Sequence, residues 1–165
     1  MDPSFDFVPV DRLSVGTIGQ VGKRTFLLQV KQQDNLITLK IEKAQVAALA
    51  EYLVQLLQEV QKPNDFEPSP DLEEPIIPQW RVGNIALAYD ESTDLVTLLI
   101  EEIPSEQSSN SSLTILATRA QVAALAIQAT SLVQAGRPPC PLCGYPLDPK
   151  GHTCPKKNGH KPPTL

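Results

Sequence analysis

Four residues near the end of the chain have the types and spacing of a metal site: Cys140, Cys143, His152 and Cys154. They read C-x2-C, an eight-residue gap, then H-x-C, and they include all three cysteines of the chain. A Cys-x-x-Cys turn lets two thiolates converge while backbone N–H groups point at the sulfurs, and Gly144 suits the positive φ such a turn needs. Pro146, Asp148, Pro149 and Gly151 supply a turn-rich loop that can return the chain to the same point. Three thiolates and one imidazole form a closed tetrahedral shell, which suits structural Zn2+. So short and polar a segment has no core of its own, so zinc binding and folding would be coupled. His160 is the other nitrogen on offer, but the H-x-C spacing favours His152.

Other chemistries compete for the same residues. A redox Cys140–Cys143 pair would want a strand-to-helix junction rather than a proline-rich tail. A rubredoxin-like iron site wants four thiolates. Three cysteines and a water would resemble a deaminase centre, yet its histidine–glutamate element and general-base glutamate are missing. Catalysis at this metal is therefore not expected, and the catalytic set is empty. Nor does the rest of the chain offer a nucleophile system, since residues 1–136 contain neither His nor Cys. The stretch GTIGQVGKRT (16–25) tempts a phosphate-loop reading but has five residues between Gly16 and Gly22, Arg24 after Lys23, and strand-forming sequence beyond. It reads as a glycine-rich hairpin turn. Lys23, Arg24, Arg81 and Arg119 remain as candidate anion contacts.

The elements that must carry these residues show a near-identity, KAQVAALA at 43–50 and RAQVAALA at 119–126. Val46, Leu49, Ala50, Leu53, Leu56 and Leu57 recur 76 residues later as Val122, Leu125, Ala126, Ala129, Leu132 and Val133. That spacing marks the buried stripe of an amphipathic helix in each copy. Thr118 with Gln121 makes a capping box and Gly136 a stop. Upstream, Ile37, Leu39 and Ile41 alternate with polar residues, as do Leu113, Ile115 and Ala117. RTFLLQV (24–30) and LVTLLIEEI (95–103) read as further strands. Val15–Ile18 resembles Val82–Ile85 at an offset of 67, with Ser105 to Ser112 as an exposed loop. Trp80 reads as a core anchor.

The expected fold is α+β: two tandem β-β-β-α repeats with antiparallel sheet, packed as a pseudo-symmetric pair, plus a small C-terminal zinc-binding tail. The expected division is 1–61, first repeat; 62–79, an acidic proline-rich linker; 80–136, second repeat; and 137–165, the tail. The linker, KPNDFEPSPDLEEPIIPQ, reads as an extended, solvated connector.

Apolar residues make up 41% of the 165, which places the body among globular chains. Residues 1–136 carry 9 Lys/Arg against 18 Asp/Glu, and residues 137–165 carry 5 against 1. An acidic body repels nucleic acid and anionic membranes, so polyanion binding would fall to the tail, which lacks aromatic stacking platforms. The opening MDPSFDFVPV has no basic n-region or apolar h-region, and no apolar run approaches a membrane span, so a cytoplasmic location is expected.

VGTIGQVGKRTFLLQ, EKAQVAALA, RVGNIALAYD, the second QVAALA and above all GRPPCPLCGYPLDPKGHTCPKKNG resemble a bacterial family of internally repeated proteins, domain-of-unknown-function family 3090. In that family the position of His160 is usually aromatic, which adds weight to His152 as ligand. Lys156–Lys157 stand where the family leads one to expect an arginine. The resemblance implies no activity; it implies gene neighbours resembling a phosphoglycerate-mutase-like phosphatase and a lipid-kinase-like protein, hence protein partners in a phosphotransfer pathway. The functional expectation is a non-enzymatic zinc-binding adaptor or scaffold with an unidentified protein partner and no membrane contact. The alternatives are an enzyme or enzyme subunit acting on a phosphorylated or anionic small molecule, and weak nucleic-acid binding through the tail.

Overall fold

Hydrophobic alternation with a period of two, followed by a period near 3.6, appears twice along the chain, and the elements follow it. The computed structural model describes residues 8–20, 22–60, 66–106 and 110–135. Three strands, β1 (Arg12–Ile18), β2 (Thr25–Gln32) and β3 (Asn35–Ile41), lead into helix α1 (Lys43–Glu59). Three more, β4 (Trp80–Asp90), β5 (Leu95–Glu102) and β6 (Ser112–Thr118), lead into α2 (Arg119–Ala135). The fold is α+β, with one six-stranded sheet in the order β1 to β6 and two helices.

Hairpin neighbours pair antiparallel, as expected. The junction between the halves differs: β3 and β4 run parallel, through Leu39↔Trp80 and Lys40↔Arg81. The reason is topological: after α1, residues 66–79 cross the outer face of the first half and deliver the chain beside Thr38 and Leu39, where the Gln79 N–H donates to the Thr38 carbonyl at 2.8 Å and β4 starts in the direction of β3. The outer edges also meet, since the Val10 N–H donates to the Leu116 carbonyl at 2.8 Å.

One row of inward residues, Val15–Leu28–Leu39, faces the core in the first half, and Leu87–Leu98–Ile115 does so in the second. This register corrects the expected match of Val15 with Val82. With Leu39 and Ile115 aligned by the helix offset, the pairings carry Val15 to Leu87, and the same shift carries Val10 to Val82. The letters V-G-x-I recur, but at different places in the two sheets.

The helix stripes close the core. Val46, Leu49, Ala50, Leu53 and Leu57 of α1 are buried, as are Val122, Ala123, Ala124, Leu125, Ala126 and Ala129 of α2. Leu56, Leu132, Val133 and Trp80 pack against this core while partly exposed. The small side chains of α2 let the helices approach closely.

The opposite face of the first half is covered by residues 66–79, which have no regular secondary structure yet are not merely solvated. Ser14, Gln29 and Thr38 form one cross-strand row beneath them and are each 2% exposed. The Gln29 amide accepts from the Glu73 N–H at 2.7 Å and donates to the Glu73 carbonyl at 2.9 Å and Thr38 Oγ1 at 3.0 Å. Glu73 meets Lys31 at 2.7 Å and Arg12 at 3.4 Å, and Ser69 donates to the Leu13 carbonyl. Gly16 lies beneath the crossing, where a Cβ would stand 2.7 Å from Leu72 Cγ and force that side chain to shift. The corresponding row in the second half, Ala86–Leu99–Thr114, is exposed among the described residues.

Candidate functional site

Each helix is seated by one glutamine. In α1, the Glu42 N–H donates to Gln45 Oε1 at 2.8 Å, while Gln45 Nε2 donates to the Val82 and Gly83 carbonyls of β4 at 2.9 and 3.0 Å. In α2, the Thr118 N–H donates to Gln121 Oε1 at 2.9 Å and Gln121 Nε2 donates to the Val10 carbonyl at 2.7 Å. The Gln121 N–H donates back to Thr118 Oγ1 at 3.0 Å, completing the expected capping box. Each glutamine thus fixes its own helix start and ties it to the opposite half.

The corner made by the start of α1, the end of β3 and the β1–β2 turn holds a pocket. It is about 340 Å3 in volume, lined by Gly22, Arg24, Thr25, Phe26, Lys40, Ile41, Glu42 and Lys43. The turn is the expected glycine-rich hairpin: β1 and β2 stay paired to Ile18↔Thr25, and strand, not helix, follows. Gly19 has φ +97, where an L side chain is strained. Arg24 lies over the Phe26 ring, 5.7 Å from its centroid, and donates to the Leu132 carbonyl near the end of α2 at 3.4 Å. Among the described residues, Arg24, Lys40 and Lys43 make no ion pair within 4.0 Å. Three cations round one concavity favour an anionic ligand.

The four cations expected from sequence do not converge. Arg24 lines the pocket, and Lys23 is exposed on the turn beside it. Arg81 reaches Glu42 at 3.4 Å on the pocket rim. Arg119 belongs elsewhere: its Nε and Nη2 donate to Asp94 at 2.7 and 3.1 Å, and the Tyr89 hydroxyl donates to the same carboxylate at 2.7 Å. The Arg119 bond, then the Tyr89 bond, hold the Asp94 carboxyl below its usual range; Asp94 in turn pushes the Tyr89 phenol up. Sequence reasoning missed Lys40 and Lys43. A signal existed for Lys43, which opens KAQVAALA where Arg119 opens RAQVAALA.

A larger concavity of about 410 Å3 runs between the helices, lined by Val54, Leu57, Phe66, Ala123, Ala126 and Ile127 with Gln58 and Thr130. It carries no charged group. Cys140, Cys143, His152 and Cys154 lie outside the described residues, as does His160, so the expected zinc shell has no geometry to report. Among the described residues, no group of three or more His, Cys, Asp or Glu could hold a metal ion, and no helix is long and apolar enough to cross a membrane.

The described residues form an α+β fold with a six-stranded sheet, two helices and a basic corner pocket. The family model described as Protein of unknown function (DUF3090) matches residues 5–154, and the chain belongs to that family. Neither the curated proteins nor the solved structures contain a match to the chain.

Proposed function

We propose that the protein is a non-enzymatic binding module of the cytoplasm, an adaptor that presents its basic corner to an anionic group and carries a zinc-held tail. The observation that carries this reading is that Arg24, Lys40 and Lys43 all line one pocket and have no ion-pair partners among the described residues. The body is a tandem pair of β-β-β-α copies, a reading supported by the two glutamine ties and the matching inward rows. Such a pair makes a rigid platform, because each helix start is anchored in the other half. The tail's Cys140, Cys143, His152 and Cys154 suit a structural Zn2+ that holds that segment together. The ligand's remaining part, or the protein bearing it, would extend past the turn that carries Lys23.

Titration of the isotope-labelled full chain with sulfate at constant ionic strength tests the pocket. Saturable amide shifts confined to Thr25, Lys40, Ile41 and Lys43 are expected, and Lys43→Ala should weaken them several-fold. Small, unsaturated shifts spread over the surface would overturn the reading. An enzyme acting on an anionic small molecule would use the same pocket, and turnover of a bound phosphoester by the purified chain would favour that alternative.

A further inference from the structure

We infer that the pocket takes a dianionic phosphate group of a small phosphomonoester, in place of a carboxylate that the other half of the molecule supplies from its own chain. This rests on the anion-binding reading above and adds the class of ligand. The strand registers set the correspondence. Leu28 and Leu98 occupy matching places in the inward rows, so Thr25, the first residue of β2, matches Leu95, the first of β5. The residues just before them, Arg24 and Asp94, therefore stand at matching corners. Lys43 and Arg119 match as the first residues of α1 and α2.

In the second half this corner is self-satisfied. Asp94 is held between the Arg119 guanidinium, at 2.7 and 3.1 Å, and the Tyr89 hydroxyl, at 2.7 Å, so one anion meets one cation. In the first half the carboxylate's place is taken by a second cation, and Lys40 adds a third where the second half has Leu116. Glu42, the one acid of the lining, is drawn to Arg81. The charge the second half provides internally must here come from outside, and a single carboxylate would leave most of it uncompensated. A phosphomonoester brings about −1.5 to −2 charges and three acceptor oxygens. Arg24 suits it: the Phe26 ring and Leu132 carbonyl hold the guanidinium, whose planar fork matches two phosphate oxygens. Lys40 and Lys43 act as mobile point charges on the remaining oxygen. The volume of about 340 Å3 leaves room for the organic part of a small ligand.

The test titrates the full chain with inorganic phosphate, phenyl phosphate, malonate and acetate, following the amides of Thr25 and Lys43. Both phosphates should bind at least tenfold more tightly than acetate and more tightly than malonate. The affinity for phenyl phosphate should rise with pH through about 6, where a phosphomonoester loses its second proton. Arg24→Asp puts a carboxylate at the matching corner beside Lys43, so it should abolish phosphate binding in a chain that stays folded by circular dichroism. Malonate or acetate binding as tightly as phosphate would overturn the ligand class and leave the anion-binding reading standing. Undiminished phosphate binding by a folded Arg24→Asp variant would overturn the inference, and no localised shift with any anion would overturn both.

Discussion

Asp94 shows how one residue's surroundings decide its charge. Its carboxyl is held below the usual range first by the Arg119 bond and then by the Tyr89 hydroxyl. A depressed folded-state pKa contributes stability above the unfolded value, and that stability is lost as pH falls through the folded value. Tyr89 is the opposite case: its pKa is raised, chiefly by the bond to Asp94, so its contribution is present below the ordinary tyrosine range and lost as pH rises through the folded value. Arg119→Gln should therefore move the Asp94 midpoint upward in a carboxyl-detected NMR titration, and an unchanged midpoint would contradict the pairing. Glu73 should also titrate low, because Lys31 donates to it. None of this was legible in the sequence, where Arg119 looked like a candidate ligand contact. Its partner lies 25 residues earlier, and only the β5–β6 register, Leu95↔Thr118, brings them together.

The helices were legible because their stripes follow a simple period and the eight-letter near-identity fixes their offset. Leu49 is 1% exposed on the expected face, so Leu49→Ala should cost about 2–5 kcal/mol in urea denaturation. A loss below about 0.5 kcal/mol would place it outside the core. The strands were legible too, but the position of β4 was not. Its letters matched β1 at one offset while its hydrogen bonds obey another, and a strand's face flips with each residue of slip. The segment 66–79 was misread in one respect. Composition gave its lack of regular structure, but not that Gln29 pairs with Glu73 as a backbone would. Gln29→Leu leaves the Glu73 peptide groups without partners on a covered face and should cost about 1–3 kcal/mol. A neutral result would mean the crossing segment contributes nothing to stability.

By charge the sequence falls into an acidic stretch, residues 1–136, and a basic one, residues 137–165, that bears the cysteines. If zinc holds the tail alone, Cys143→Ser should abolish bound zinc, measured by elemental analysis of reduced protein, while the body's thermal transition stays in place. Loss of both would show that the tail is part of the body's core. For the body, the element order and the helix faces were legible in the sequence, but the pocket was not. Its residues come from a turn, a strand end and a helix start that no linear pattern joins. The closeness of Arg24 to Lys43 depends on the register, and its meaning depends on the matching corner that holds Asp94. The most direct measurement is an anomalous difference map from crystals of the full chain soaked in tungstate, a heavy analogue of a tetrahedral dianion. One peak should stand between Arg24, Lys40 and Lys43, with none at the Asp94–Arg119 corner. An empty pocket in well-ordered crystals whose lattice leaves it open, or an equal peak at the second corner, would contradict the account.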